Sequence, residues 1–196
     1  MPDVFTVLGQ DHAEVKQMLD KLENGPTRIG GASASQLQDR EQLVQTLIIA
    51  ESKHEAVEEE FFWPVVQDLS GDGAQLAGQG THQEQEAKAV LHRLDGLDPA
   101  DDEFEELVAA IINDGRAHIA FEEEKVWPRL RETLNSSGAD KLGMQLLRAK
   151  DSAPTRPHPQ VPPRPGVLKA GGPAVAIIDR LRDAVTGRGK RGKKET

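Results

Sequence analysis

Residues 54–64 read HEAVEEEFFWP, and residues 118–128 repeat the pattern as HIAFEEEKVWP. The two stretches share His, Ala, three Glu, Trp and Pro at identical positions within the pattern. In each copy the His and the first Glu are four residues apart, so on an α-helix they lie one turn apart on the same face. The repeat therefore predicts two helices that each direct one imidazole and one carboxylate toward a common point.

Apolar residues recur at helical spacings in four segments of residues 1–149. Glycine, proline and serine interrupt the pattern between these segments. The predicted helices cover residues 3–24, residues 35–68, the stretch from the Gly-rich break at 70–73 to about residue 95, and residues 101–134. No segment in this part of the chain has the alternation typical of a strand. We expect an all-α fold, an antiparallel up-down four-helix bundle.

The other two predicted helices also carry histidine among their core-facing residues. His12 lies on the apolar stripe of the first helix, and His82 and Glu86 lie between Leu76 and Leu94 on the third. Buried imidazoles and carboxylates without partners would be costly in an apolar core. A single core histidine is more often a hydrogen-bonded residue than a ligand, whereas one on each of four helices favours a metal site.

The residue types that are missing restrict the chemistry. The chain has no cysteine, which excludes disulfides, thiolate zinc sites, iron–sulfur clusters and thiol nucleophiles. Any metal must then be held by imidazole and carboxylate, which suit iron, manganese or zinc. The chain also has no tyrosine, so a neighbouring tyrosyl radical is excluded as a store of oxidising equivalents.

The negative charge is concentrated in the predicted bundle. Residues 1–149 carry 13 Lys/Arg against 29 Asp/Glu, whereas residues 150–196 carry 11 against 4. Nucleic-acid binding depends on neutralising phosphates with Lys and Arg, so the acidic bundle argues against a nucleic-acid partner. The sequence shows neither a secretory leader nor a run of apolar residues long enough to span a membrane. We expect a cytoplasmic protein that does not insert stably into membranes.

The C-terminal segment differs in composition from the bundle, which we assign to residues 1–149. Residues 150–173 are rich in Pro and Gly and predict an extended linker. Residues 174–196 predict a short amphipathic helix, over 174–185, followed by a basic disordered tail. The helix is a candidate for self-association or for docking on a partner. A tail that only increases solubility is the alternative.

The arrangement of histidines and glutamates resembles that of the hemerythrin and HHE cation-binding family. The family pattern is a lone His, then H-x-x-x-E, another lone His, and a second H-x-x-x-E. In this chain the pattern is followed in order by His12, His54 with Glu58, His82, and His118 with Glu122. The resemblance covers roughly residues 4–134 and implies the four-helix bundle.

The resemblance also implies the ligands of a di-iron centre, in which an oxo or hydroxo group joins two iron ions. The implied assignment places one iron on His12 and His54, the other on His82 and His118, and bridging carboxylates at Glu58 and Glu122. In oxygen-carrying members the third helix has H-x-x-x-H, whereas here Glu86 takes the place of the second histidine. We therefore include Glu86 among the expected ligands.

One ligand position has an alternative. Oxygen carriers place an Asp five residues after the His of the fourth helix, and this chain has Glu at both the fourth and the fifth position. We prefer Glu122 because it repeats the geometry of Glu58, and Glu123 is the alternative or an acceptor for an imidazole N–H. Glu55 and Glu59 are further candidate acceptors. The Trp and Pro of each copy are expected to pack and to bend the helix at one end of the bundle.

The anionic ligand at the second iron decides between functions. An extra carboxylate stabilises the ferric state and lowers the potential, which disfavours reversible carriage of dioxygen. The leading hypothesis is a redox enzyme that disproportionates hydrogen peroxide, as catalases do, or that oxidises nitric oxide with peroxide. The alternative is a protein that senses oxygen, iron or redox state, or that binds dioxygen reversibly.

Overall fold

The computed structural model describes residues 1–161, 176–179 and 182–183. The helices are α1 (Val4–Asn24), α2 (Ala34–Val57), α3 (Trp63–Gln67), α4 (Gly73–Leu94), α5 (Asp102–Phe121), α6 (Trp127–Thr133) and α7 (Ser136–Lys150). Two five-residue π-helical turns, Glu58–Phe62 and Glu122–Val126, join α2 to α3 and α5 to α6. The described ranges contain no strand, and the predicted all-α bundle of four long helices is confirmed.

The helix starts follow from local side-chain chemistry. The Asp3 carboxylate caps α1 by accepting from the Thr6 backbone N–H at 2.7 Å. Ser33 and Gln36 form a capping box at the start of α2, in which each side chain accepts from the backbone N–H of the other residue. Both caps satisfy N–H groups that the first helical turn leaves without partners. The starts of α1 and α2, which lie at opposite ends of the bundle, are therefore both fixed by caps.

Each π-helical turn lies immediately before a Trp-Pro pair. Proline has no N–H, and its ring collides with the carbonyl four residues earlier, so α-helical hydrogen bonding cannot continue through it. The chain forms a wider turn instead, in which the Trp63 N–H donates to the Glu58 carbonyl and the Trp127 N–H donates to the Glu122 carbonyl. The helix distortion expected at the prolines is thus a wider turn that begins at the first Glu of each copy.

A layer of buried polar side chains divides the apolar core into two halves. The half near α7 includes Leu8 and Leu146. The other half includes Val15 and Phe104. Leu8 and Val15 both lie on α1, and the buried His12 lies between them. The histidines and glutamates of the repeat therefore lie across the middle of the bundle.

A fifth long helix, α7, packs against α1 and α2 and was not predicted. Gly143 permits a close approach, because a Cβ there would lie 2.6 Å from the Pro2 carbonyl oxygen and from the Asp3 backbone carbon. The apolar residues of α7 join the first half of the core, where Leu142 and Leu146 are buried. None of the helices in the described residues is long and apolar enough to cross a membrane.

The described part of the expected linker contacts the bundle and the C-terminal segment. Arg156 donates to Asp95, just after α4, at 2.8 Å and to Asp183 at 2.9 Å. His158 pairs with Asp179 at 3.0 Å. Residues 176–179 and 182–183 are helical, in the stretch where the amphipathic helix was expected. The expectations for residues 162–175 and for the basic tail after 183 lie outside the described residues.

Two glycines of α4 provide a matched test of the packing. A Cβ at Gly80 would overlap the Trp63 ring, whereas a Cβ at Gly78 would meet nothing within 4 Å. We expect Gly80→Ala to lower the free energy of unfolding by about 1–3 kcal/mol, the usual cost of overpacking. Gly78→Ala should raise it by about 0.5–1 kcal/mol, because alanine loses less backbone entropy in a helix. Urea unfolding followed by circular dichroism measures both, and equal effects would contradict the packing of Trp63 on Gly80.

Candidate metal centre

Six side chains converge in the polar layer and form two overlapping groups. The ligand atoms within each group lie within 4.8 Å of one another. The first group is His12, His54, Glu58 and Glu122, and the second is Glu58, Glu84, His118 and Glu122. Glu58 and Glu122 belong to both groups, so each carboxylate can serve two metal positions. The sequence placed five of these six residues in the site, and the sixth, Glu84, was missed.

The Nε2 atoms of the three imidazoles face the carboxylates. His54 Nε2 lies 3.2 Å from a Glu58 oxygen. His12 Nε2 and His118 Nε2 lie 3.3 Å and 2.9 Å from the two oxygens of Glu122. His54 and His118 reach their glutamates across one helical turn, as the four-residue spacing predicted. His12, on α1, reaches Glu122 in the π-helical turn after α5, and this contact ties α1 to the end of α5.

The buried donor atoms fit a metal ion better than they fit one another. Both oxygens of Glu58 and of Glu122, and one oxygen of Glu84, have no hydrogen-bond partner. The same is true of Nε2 in His12 and His118. Three carboxylates carry a charge of −3, which two divalent cations would convert to a small positive charge that one hydroxide neutralises. Burial of unpaired carboxylates is costly, so this donor set fits a pair of cations.

Each imidazole is oriented by a hydrogen bond from its Nδ1–H to a side-chain oxygen. The acceptors are Glu123 for His12 at 3.0 Å, Asp11 for His54 at 3.1 Å and Gln83 for His118 at 3.0 Å. A carboxylate or amide oxygen can only accept, so in the neutral imidazole the proton is on Nδ1 and the Nε2 lone pair is available for a metal. The sequence allowed Glu123 to be either a ligand or an acceptor for an imidazole N–H, and in the structure it is such an acceptor.

Lysines neutralise two of these acceptors. Lys16 donates to both oxygens of Glu123, at 2.9 Å and 2.8 Å. Lys150, the last residue of α7, donates to Asp11. The unpredicted fifth helix therefore contacts the residue that holds a candidate ligand. The two other expected acceptors, Glu55 and Glu59, are instead ion-paired with the buried Lys88.

The two tryptophans of the repeat contact the candidate ligands and are more than packing residues. The Trp127 ring stacks on the His12 imidazole, with ring centroids 5.2 Å apart and planes inclined by 11°. Trp63 donates from Nε1 to a Glu84 oxygen. Each tryptophan follows its π-helical turn directly. The turns therefore place both an indole and a carboxylate at the cluster.

A cavity of about 20 Å³ lies beside the cluster, which is room for roughly one water-sized molecule. The three imidazoles and the carboxylates of Glu51, Glu55 and Glu84 form its polar wall. Its apolar wall is formed by Val15, Ala87, Ile111, Gly115 and Ile119. The cavity can therefore admit a diatomic molecule next to the candidate metal positions.

The structure does not bring His82 and Glu86 into this cluster. Their side chains are 72% and 65% exposed, and they pair with each other at 3.3 Å on the outer face of α4. The residues of the expected stripe are spread over about a third of the circumference of the helix. The buried face of α4 follows instead Ala77, Gly80, Glu84, Lys88 and Leu91. The candidate ligand that α4 brings to the cluster is therefore Glu84, whereas the expected His82 and Glu86 lie outside it.

A second repeat, in a different register from the first, contained the signal for Glu84. The separation between His12 on α1 and Glu84 on α4 is the same as that between Leu19 and Leu91, which are buried on the same two helices. The residues before them, Asp11 and Gln83, both accept from the imidazole of the neighbouring helix. Aligning the buried leucines of α1 and α4 would have paired His12 with Glu84. The two copies of the repeat in α2 and α5 are separated by a shorter stretch of chain. Applying that separation to α1 and α4 does not pair His12 with Glu84.

Comparisons with known proteins agree with this architecture. A family model described as the hemerythrin HHE cation binding domain matches residues 3–130. The chain belongs to this family. A hemerythrin-like protein of Schizosaccharomyces pombe is 26% identical over 133 residues, which are 67% of this chain and 66%, just under two thirds, of the relative.

A solved structure shares the fold. The crystal structure of a hemerythrin HHE cation binding domain-containing protein from Mycobacterium kansasii superposes with a TM-score of 0.64 and 16% sequence identity. The match covers 91% of this chain and 99% of that chain. The structural match is therefore longer than the family match, which ends at residue 130. At 16% identity it supports the fold alone.

In the metal-free HHE domain the cluster holds protons. Burial lowers the pKa of His118, but the carboxylates of Glu122 and Glu84 outweigh this effect and raise it to about 9. Burial raises the pKa of Glu84 to about 8, although Lys88 and His118 act in the opposite direction. Burial and the neighbouring Glu122 raise the pKa of Glu58 well above its usual range. Metal ions must displace these protons to bind.

Removal of one imidazole tests the assignment. We expect His118→Ala to lose most of the bound metal and to lower the free energy of unfolding by about 3–5 kcal/mol, because Glu122 and Glu84 remain buried without that partner. His82→Ala, on the exposed face of α4, is the control and should keep the metal content of the wild type. Metal analysis of the purified proteins measures this. Loss of metal in both variants would restore the sequence-based assignment, which includes His82, whereas full metal content in His118→Ala would exclude His118 as a ligand.

The pKa shifts predict opposite effects of pH on stability and on metal binding. His118 and Glu84 bind protons more tightly in the folded metal-free protein than at their ordinary pKa values of 6.5 and 4.5. The stabilisation from Glu84 is complete below pH 4.5 and is lost by about pH 8. The stabilisation from His118 is complete below pH 6.5 and is lost by about pH 9. Urea unfolding of metal-free protein should show stability falling with rising pH, while competition titrations show metal affinity increasing. A metal affinity that is independent of pH would contradict this assignment.

Proposed function

We propose that this HHE domain holds two iron ions and converts hydrogen peroxide into water and dioxygen. The observation that carries the proposal is the group of three imidazoles and three carboxylates that share one buried centre beside a small cavity. The donor set contains no sulfur. Imidazole and carboxylate together suit iron, and glutamates shared between two positions are a feature of di-iron helical bundles.

The ligand from α4 favours redox turnover over oxygen carriage. Glu86, the extra carboxylate that the sequence indicated, is exposed, but Glu84 of the same helix is buried in the cluster and brings the same negative charge. A carboxylate ligand adds negative charge and stabilises the oxidised metal ion. Release of intact dioxygen requires the reduced state, so a site with three carboxylates is poorly suited to reversible binding. Repeated oxidation and reduction by one substrate suits it better.

The cavity limits the substrate to very small molecules. Its volume of about 20 Å³, room for roughly one water-sized molecule, favours substrates as small as hydrogen peroxide, dioxygen or nitric oxide over organic substrates. Two peroxide molecules give two water molecules and one dioxygen, so the reaction needs no separate electron donor. Iron held by these residues would provide the two-electron redox chemistry, in which one peroxide molecule is reduced to water and the other is oxidised to dioxygen. The substrate and the chemistry then match in size and in electron count.

The protein side chains position the centre and exclude competing molecules. Asp11 and Glu123 hold two imidazoles in the tautomer that binds metal, and Trp63 holds Glu84. Val15, Ile111 and Ile119 line the cavity with apolar surface. This wall excludes larger reductants from the oxidised centre.

Two other functions use the same centre. Nitric oxide fits the cavity and could be oxidised by peroxide there. A sensing function is favoured by the contact between Lys150 of α7 and Asp11, because Asp11 also holds His54. A change in the position of His54 could be transmitted through this contact to the C-terminal segment. The peroxide assay below separates catalysis from sensing.

An oxygen-electrode assay with two matched variants tests the proposal. The iron-loaded wild type should evolve one dioxygen for every two peroxide molecules consumed. Glu84→His removes a negative charge from the centre and should slow the reaction about 10–100-fold, the usual effect of altering the surroundings of a metal. Glu86→His makes the same change on the exposed face of α4 and should have no effect. If the iron-loaded wild type evolves no dioxygen, catalysis is excluded and the sensing function is favoured.

A further inference from the structure

The two metal positions of the cluster have different donor atoms. The first position, defined by His12 and His54, has two nitrogen donors in addition to the shared glutamates. The second position, defined by His118 and Glu84, has one nitrogen and one further carboxylate. With the shared glutamates included, the first position offers two nitrogens and two carboxylates, and the second offers one nitrogen and three carboxylates. Two cations in this cluster would therefore have unequal surroundings.

The hydrogen bonds behind the ligands increase this inequality. His12 and His54 donate to carboxylates, at 3.0 Å and 3.1 Å. His118 donates to the neutral amide oxygen of Gln83 at 3.0 Å. A carboxylate acceptor makes an imidazole a stronger donor to a metal than an amide acceptor does. The first position thus has both more nitrogen donors and stronger ones.

Glu84 is buried in a way that a purely structural role does not explain. One of its oxygens accepts from Trp63, and the other has no hydrogen-bond partner. Its carboxylate lies 4.0 Å from His118 Nε2. The nearby Lys88 is ion-paired with Glu59 and with Glu55. A Glu84 that only anchored Trp63 would leave a buried carboxylate oxygen unsatisfied, whereas a cation at the second position satisfies it.

One charged pair of the environment is matched between the two positions. Lys16 pairs with Glu123 near the first position, and Lys88 pairs with Glu59 near the second. The two lysines are equivalent in the register that relates α1 to α4, and the two glutamates are equivalent in the repeat that relates α2 to α5. Among the ligands and the residues that precede them on α1 and α4, the positions differ at two pairs of equivalent residues, which are His12 against Glu84 and Asp11 against Gln83. Both differences act in the same direction.

We propose that the two positions of the HHE domain prefer different divalent cations when several compete, with Zn²⁺ or Fe²⁺ favoured at the first position and Mn²⁺ at the second. Imidazole nitrogen favours the later metals of the first transition row, whereas carboxylate oxygen suits Mn²⁺. Zn²⁺ gains more than Mn²⁺ from each added nitrogen, so a limited supply of Zn²⁺ selects the position with two imidazoles. This inference rests on the proposed pair of metal positions and is independent of peroxide turnover.

The test uses metal-free full-length protein with one equivalent of Zn²⁺ and an excess of Mn²⁺. Native mass spectrometry resolves the forms with two Zn²⁺, one of each, and two Mn²⁺. We expect the mixed form to predominate well above its statistical share. The Mn²⁺ electron paramagnetic resonance spectrum should be that of an isolated ion and not that of a coupled pair. Anomalous scattering at the zinc absorption edge should place Zn²⁺ beside His12 and His54.

Two variants relate the selectivity to Glu84. Glu84→His gives both positions two imidazoles and leaves only the difference between Asp11 and Gln83, so the mixed form should fall most of the way to its statistical share. Glu86→His is the matched control, because it adds a histidine on the exposed face of the same helix, and the mixed form should still predominate. Circular dichroism verifies that each variant is folded. The wild-type distribution decides the inference even if Glu84→His does not fold.

The possible outcomes test the metal preference and the peroxide reaction separately. A statistical mixture of the three forms in the wild type, with two ions per chain, overturns the inference and leaves the peroxide proposal standing. A predominant mixed form without peroxide turnover by the iron-loaded protein supports the inference and overturns the catalytic proposal. Binding of fewer than two ions per chain overturns both, because both need two metal positions.

Discussion

Three carboxylates and three imidazoles buried at one point are the constraint on which the rest of this structure depends. Glu58, Glu84 and Glu122 are essentially excluded from solvent, in the middle of a helical bundle. Burial of several like charges without counterions costs more than a typical domain has available as net stability. The metal-free protein offsets part of this cost by retaining protons on Glu84 and His118. The neighbouring lysines, tryptophans and acceptor side chains hold the same groups in place.

The repeated sequence predicted the bundle and five of the six clustered residues because its information is local. A His and a Glu four residues apart lie on one helical face whatever surrounds them. Glu84 depends instead on the rotation of α4 about its axis, which is set by the fit of Gly80 against Trp63. His82 and Glu86 complete the family pattern in the sequence, but that rotation leaves them exposed.

Other features required contacts that are distant in sequence. The proline of each copy predicts a distorted helix, but not that the resulting turn presents an indole to the cluster. The fifth helix has apolar periodicity as clear as that of α1, but its position depends on the approach of Gly143 to the start of α1. The link from Lys150 to Asp11 spans most of the chain. Such links are fixed by tertiary packing, which a single sequence does not display.

The division of the apolar core has a consequence for cooperativity. Each half of the core has its own set of buried side chains, and the polar layer between them contributes little hydrophobic stabilisation in the absence of a metal. Regions with separate cores can open separately, so the metal-free domain has two potential units of local unfolding. Cations bound by residues from α1, α2, α4 and α5 and from both π-helical turns would join these units into one. The metal centre would then also determine whether the bundle unfolds as one body or as two.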